Sequence, residues 1–414
     1  MNLTKTLLIL ALAAGGLRLA AQPYVEGGNT RHRFAQLNLG IEARSFLNQG
    51  TAAFFPGANG ALEQRQLAPQ RQAAFVIGGT HFWGYADFYV AFAFLNLYQT
   101  GYKPRTETGL KAYPWRIEHR KLRPYIGTTW MTSSYQQGEG ALIARNETPL
   151  LGGLTYCQDR LLIELGAAYS FKPSWPYYVS MEQQAPTVTH ALRLSLGAKW
   201  MIETTLSAEK DWLSGRAQML TDTLGKLGRL NSFTLAAGPS SAFFVNGSGH
   251  NRGSRSFLGQ HLLNRIFPEF GAGYYWHQPD LQLNLAYRNI SSTLEAYGHA
   301  QHANRQALTL EAFKFFADYH GFAPFAGLAL SREWLSLTDQ SPQREAAVYR
   351  AGLLRPGLAF GWDIRPNRLQ VFYLRTNLRW FPKLELAAEG GQAFSFSQIE
   401  FNFIQLVLMM DRLF

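Results

Sequence analysis

From Gln36 to Arg44 the chain alternates without a break. Leu37, Leu39, Ile41 and Ala43 fall on one face, and Gln36, Asn38, Gly40, Glu42 and Arg44 on the other. The same pattern returns in residues 161–172, 192–200, 281–288 and 357–365. In 192–200, Leu192, Leu194, Leu196, Ala198 and Trp200 oppose Arg193, Ser195, Gly197 and Lys199. In 357–365, Leu358, Phe360, Trp362 and Ile364 oppose Gly357, Gly361, Asp363 and Arg365. A period of two means a strand with one apolar and one polar face. Most of these runs span roughly nine to twelve residues, where soluble strands usually have about five or six. A tilted membrane-crossing strand needs about 9–11. Backbone groups in lipid must all be paired, and a closed barrel leaves no edge. The pattern therefore predicts an all-β fold, a transmembrane antiparallel β-barrel with a polar, lumen-facing side.

Composition agrees. Of 414 residues, 47% are apolar, 14% aromatic and only 16% charged, against about 25% charged in an average globular protein. Disorder needs low hydrophobicity and high charge, so it is excluded. The single cysteine, Cys157, excludes a disulfide framework. Mean hydropathy is −0.15, which argues against a bundle of membrane helices. The most apolar later run, Phe403 to Met410 (FIQLVLMM), is far short of the roughly 20 residues a membrane helix needs.

The first 21 residues read as an export signal. Lys5 gives a positive start, Leu7 to Ala14 an apolar core too short to span a bilayer, and Ala20-Ala21 a small-residue cleavage region. Removing residues 1–21 takes away Lys5 and Arg18 and no acid, so the formal charge falls from +11 to +9. The rest, residues 22–414, reads as one barrel domain.

Aromatic clusters fall near expected strand ends, and Trp83, Trp115, Trp276 and Trp380 are expected at the membrane interface. Such rings form the girdles of membrane barrels. At the C-terminus, Phe414 ends a run whose face carries Ile404, Leu406, Leu408 and Met410. This end resembles the terminal strand of bacterial outer-membrane barrels, and the resemblance marks Phe414 as an assembly signal read by the barrel-assembly machinery. The mature chain resembles Bacteroidota-type outer-membrane β-barrels, in stretches such as Glu107 to Trp115 (ETGLKAYPW) and Phe401 to Gln405 (FNFIQ). That implies residence in the bacterial outer membrane, in contact with lipid and lipopolysaccharide, and points to no particular activity.

Counting runs and turns gives sixteen strands, with 14 or 18 if one hairpin merges or splits. Short turns are expected at residues 82–84, 116–121, 158–160, 278–280, 319–321 and 364–368. Longer connections are expected at 47–71, 99–106, 136–147, 173–188, 246–265, 291–305, 338–349 and 389–398. Residues 211–229 lack alternation and read as a helix in a periplasmic connection.

The basic residues are scattered, with no patch interleaved with stacking aromatics, so nucleic acid is not the expected partner. The polar faces instead carry Arg44, Arg193, Lys199, Arg288, Arg365, Arg375 and Arg379, against Glu42, Glu164 and Asp363. A mildly basic lumen of that kind would favour anionic solutes. The expected function is a passive, porin-like channel or transport-related barrel without enzymatic activity or cofactor. Two alternatives stand beside it. One is a structural or surface-interaction barrel with a filled lumen. The other is an outer-membrane lipid hydrolase using His250 and Ser254, with His250 as base to the serine and Asn251 beside them; some outer-membrane phospholipases and lipid A deacylases keep His and Ser two apart on a strand, and here it is Ser248 that precedes His250 by two. His299 and His302 have a possible ligand spacing, but no carboxylate or thiolate lies close in sequence. No metal site is expected.

Overall fold

The computed structural model describes residues 24–27, 30–33, 35–48, 51–56, 62–66, 70–96, 102–137, 142–171, 174–188, 190–202, 216–244, 249–259, 266–318, 322–365, 371–388 and 393–413. The signal region before Tyr24 and the terminal Phe414 lie outside them.

In the first half, apart from three short hairpins, the strands of the closed circuit run β1 (Ala35–Asn48), β2 (Gln70–His81), β3 (Ala86–Asn96), β4 (Tyr102–Ala112) and β5 (Leu122–Gln136). They continue as β6 (Leu142–Glu147), β7 (Leu150–Gln158), β8 (Leu161–Tyr169) and β9 (His190–Ile202). Strands β6 and β7 lie end to end on one side of β5, from Leu142↔Gln136 to Tyr156↔Leu122. The other side of β5 pairs with β4, from Tyr102↔Tyr135 to Ala112↔Ile126. Strand β9 returns to β1, with Leu196↔Ala43 near the middle. The circuit is closed and antiparallel.

The second half starts after a helix, α1 (Arg216–Lys226), that falls within the segment lacking alternation. Its strands are β10 (Ser232–Phe244), β11 (Ile266–Trp276), β12 (Leu281–Ala296), β13 (His299–Phe315), β14 (Phe322–Ser341), β15 (Arg344–Ile364), β16 (Phe372–Ala387) and β17 (Ala393–Met409). They form a closed eight-stranded barrel sealed by β17 on β10, as in Leu235↔Leu408. One barrel over residues 22–414 is thus not what forms. The chain closes as two rings, because β9 pairs with β1 and not with β10.

Both rings are inside-out relative to a soluble barrel. On β1, Ile41 points away from the axis at 59% exposure while Arg44 points inward at 2%. Leu165, Leu196, Leu285 and Leu328 are similarly exposed, and Glu164, Lys199, Arg288 and Ser331 are buried. Apolar side chains outside and polar ones inside are what a lipid-facing wall requires. No described helix is long and apolar enough to cross a membrane.

The turns at 82–84 and 278–280 fall where expected, but residues 291–305 and 338–349 are not loops. Strands β12 and β13 run on to a two-residue turn at Tyr297-Gly298, both with positive φ (50° and 73°). That is the twist-compatible turn of a tight hairpin. Strands β14 and β15 likewise extend to Pro342-Gln343. The extensions carry polar side chains outward, such as Asn289, Thr293 and Glu295, which makes them look like loop in the sequence.

These extensions do not stay in a barrel. The β15–β16 ladder ends at Leu358↔Trp380. Two positions further on, the same register would set Pro356 opposite Pro382. Neither has an N–H to donate, and the pairing does not reach them. The β11–β12 ladder ends at Glu269↔Arg288, where Pro268 is the next residue. Above this level the second ring opens into two sheets, β12–β15 and β16–β17–β10–β11. Between them lie Phe267, Ile290, Leu335, Leu337, Leu384 and Phe394.

The rings touch at two levels. Near the short turns, Phe88 lies 5.1 Å from Trp362, and Phe82 5.8 Å from Phe322. Trp83 packs with Phe322 and Ile364. At the opposite end Phe257 and Leu258 cluster with Met131, Ile143, Tyr177 and Leu294. There Gln137 donates to the Phe257 carbonyl at 3.1 Å, and the Tyr297 hydroxyl donates to the Tyr178 carbonyl.

Candidate functional site

The inward faces hold all ten polar residues expected along a lumen, and all ten are buried. They do not line an open passage. In the first ring they form two clusters. Arg193 donates to both oxygens of Glu107, through Nη2 at 2.9 Å and through Nη1. Arg44 lies 3.1 Å from Glu107 and 2.8 Å from Glu42, and the Tyr89 hydroxyl donates to Glu107 at 2.6 Å. Nearer the short turns, Lys199 bridges Asp87 at 2.9 Å and Glu164 at 2.8 Å. Lys111 reaches Glu164 at 2.7 Å and sits 4.8 Å from the ring centroids of Tyr89 and Tyr125. The tyrosines fit because their neighbours lack side chains. A Cβ at Gly109 would strike the Tyr89 ring, and one at Gly166 the Tyr125 hydroxyl.

The second ring is filled in three tiers. Arg375 clasps Asp363 at 2.7 and 2.9 Å and donates to Gln282 at 2.6 Å. Arg365 meets the same aspartate at 3.1 Å, with its guanidinium 4.0 Å from the Phe315 ring centroid. Above them Arg379 donates to both oxygens of Glu269 at 2.7 Å and to both oxygens of Glu311. Higher still, Arg305 holds Glu333 at 2.6 and 2.9 Å and Glu400 at 2.6 Å. Arg288 pairs with Glu400 at 2.9 Å, and Arg355 with Glu333 at 2.9 Å.

The expectation of a basic interior is therefore corrected. Asp87, Glu107, Glu269, Glu311, Glu333 and Glu400 join the three acids read from the sequence, and they pair with the interior cations. They escaped notice because β3, β4, β11, β13, β14 and β17 alternate less cleanly. The surplus positive charge includes exposed groups such as Arg332 and Arg350.

The end of the second ring away from the short turns is capped by α2 (Gly249–Ser254) and the turn Ser256–Leu258. His250 is buried there, 3.4 Å from Asp339 and with its ring 4.6 Å from Phe394. Asn251 donates to Gln301 and to the Gly259 carbonyl, both at 2.9 Å. Arg255 pairs with Asp339 at 3.2 Å. Ser248 and the side chain of Ser254 lie outside the described residues, and the described partners of His250 contribute no nucleophile. His299 meets Arg255 at 2.7 Å, while His302 meets Thr293 at 3.0 Å on the outward face. A three-residue spacing on a strand puts these two imidazoles on opposite faces. Among the described residues no group of three or more metal-ligating side chains occurs.

Of the four tryptophans expected at the interface, Trp115 and Trp380 are exposed and Trp276 is half-buried. Trp83 is 5% exposed, because the contact between the rings covers it. Trp130, Trp200 and Trp334 face outward instead. Their place on the apolar side of an alternating strand was the available signal.

No family model and no curated protein matches the chain. Among solved structures it resembles the attachment invasion locus protein Ail of Yersinia pestis, at 8% identity and a TM-score of 0.25, over 42% of this chain and 97% of that one. An outer-membrane channel from Pseudomonas putida F1 matches at 10% identity and a TM-score of 0.22, over 94% and 97%. The transport unit of the autotransporter AIDA-I from Escherichia coli matches at 9% and 0.21, over 94% and 97%. Likeness of this size leaves the fold resting on its own strand pairing: two closed antiparallel barrels in tandem, apolar outside and ion-paired within.

Proposed function

We propose that this chain is an exported outer-membrane protein of Bacteroidota type whose two closed barrels form a rigid membrane anchor and act through their exterior face. Its immediate partners are outer-membrane lipid, lipopolysaccharide and the barrel-assembly machinery. One observation carries this reading: both lumens are crossed by buried, mutually paired charges, with Arg288, Arg375 and Arg379 wholly inaccessible. A channel needs sites that an ion can enter and leave. Here the cations that would have served it already hold carboxylates. The apolar outer walls support the membrane setting, and the sequence start supports export.

Planar bilayers test the choice. The purified protein, shown to be folded by heat-modifiable gel mobility, is expected to give no stable single-channel conductance. A reproducible anion-selective conductance would restore the channel reading. A chain that stays soluble without detergent would overturn the membrane setting itself.

A further inference from the structure

Strand β15 is paired on only one side for much of its length. From Arg344 to Gly357 it pairs with β14 alone among the described residues, since the ladder to β16 begins at Leu358. Among the described residues no strand pairs with this edge, although Tyr349 and Ala351 pack on the sandwich core. Residues 344–354 are exposed or half-exposed on both faces, with Val348 at 50% and Leu354 at 59%. A long bare edge is a ready template for another strand, and proteins usually blunt such edges. Here the neighbouring strand, β16, leaves the edge just below the level of Pro356 and Pro382.

We propose that the free edge of β15, over residues 346–354, is a strand-addition site for an extended, acidic polypeptide segment of a partner protein at the outer surface. The inference deepens the exterior-face reading above and rests on it. Main-chain hydrogen bonding would supply affinity, and alternate side chains would supply selectivity. The outward face of this part of β14 and β15 carries Arg332 and Arg350 and no acid. Acidic side chains on an added strand would therefore meet positive charge. The inward face presents Tyr349, Ala351 and Leu353, so the intervening residues would be apolar. Gly352, opposite Trp334, has the Arg332 guanidinium 3.4 Å from where a Cβ would lie, so a side chain laid over it meets positive charge.

The experiment uses the full-length protein in detergent micelles and two labelled peptides of about ten residues, matched to the edge at roughly 3.3 Å per residue. One alternates glutamate with valine and the other lysine with valine. The acidic peptide is expected to bind at least about tenfold tighter, a difference of roughly 1.4 kcal/mol. It should also slow amide exchange in residues 346–354. R332E/R350E should reverse the preference. Of V348P and Y349P, one removes a donor to β14 and the other only a donor to the open edge. One of the pair should therefore stay folded and lose binding. Equal affinity for the two peptides, or unchanged exchange in 346–354, would overturn the proposal. So would lipopolysaccharide micelles slowing that exchange where the acidic peptide does not, since the surface would then be a lipid site. Gel mobility and bilayer silence test the anchor reading separately, so either idea can fail alone.

Discussion

Replacing Arg379 by methionine isolates the question of whether the second lumen is dry. The Arg379 side chain is fully inaccessible and donates to both oxygens of Glu269 and of Glu311. Methionine fills similar volume but leaves two carboxylates facing each other. Ser240 and Gln405 still reach Glu269, at 2.7 and 3.2 Å, and Asn284 reaches Glu311 at 2.7 Å. Those neutral donors do not cancel the charge. Breaking a buried pair by removing one partner costs about 3–5 kcal/mol. In a water-filled lumen the same pair would behave as an exposed one, worth about 0–1 kcal/mol. The assay is denaturant unfolding of protein refolded into lipid vesicles, followed by tryptophan fluorescence and gel mobility. R379M is expected to lose about 3–5 kcal/mol. E269Q/E311Q/R379M, which removes the stranded charges as well, should recover most of that loss. A shift below about 1 kcal/mol for R379M would refute the dry lumen and the reasoning that closes it.

Three further outcomes follow from other parts of the fold. P356A/P382A restores two donors where the β15–β16 ladder stops, and should slow amide exchange in residues 352–356; unchanged exchange would show that the prolines do not cause the split. F322A removes a ring that packs on Phe82, His81 and Trp362 and should cost up to about 3–5 kcal/mol; it should also separate the unfolding of the two rings, and a single unshifted transition would count against the aromatic contact. In the turn after β4, hydrogen bonding from Lys121 and Arg116, with the nearby Arg123, holds Glu118 well down from 4.5, to about 2. A lowered folded value means its stabilising effect is complete above about 4.5 and lost as pH falls toward 2. E118Q should therefore flatten stability between those limits, and an unaltered pH profile would remove this group from the account.

Much of the wall was legible in the sequence. Leu194, Leu196 and Trp200 face outward, and Arg193 and Lys199 inward, as a period of two requires. What alternation cannot state is which strand meets which. The choice between one ring and two turns on whether β9 pairs with β1 or with β10, and both have suitable faces. A trace is the break at residues 211–229, within which α1 (Arg216–Lys226) falls between the strands of the two rings. The outer sandwich was hidden for another reason. Its strands carry polar residues toward water, so Asn289, Thr293 and Glu295 look like loop. The interior was read only where strands alternate cleanly, so the arginines stood out and acids such as Glu107 and Glu269 did not.

Two rings in one chain also change how such a protein reaches its folded state. Each ring is sealed by strands far apart in sequence, Ala43 with Leu196 in the first and Leu235 with Leu408 in the second. Contacts at that separation form slowly, because the loop between them must be ordered first. The second seal uses β17, the last described strand. The first is made by β9, which is tethered at both ends and offers no free terminus to hold. The chain therefore has two closure steps of similar span, and the aromatic contact between rings joins neither pair of sealing strands but the β2–β3 hairpin to β14 and β15.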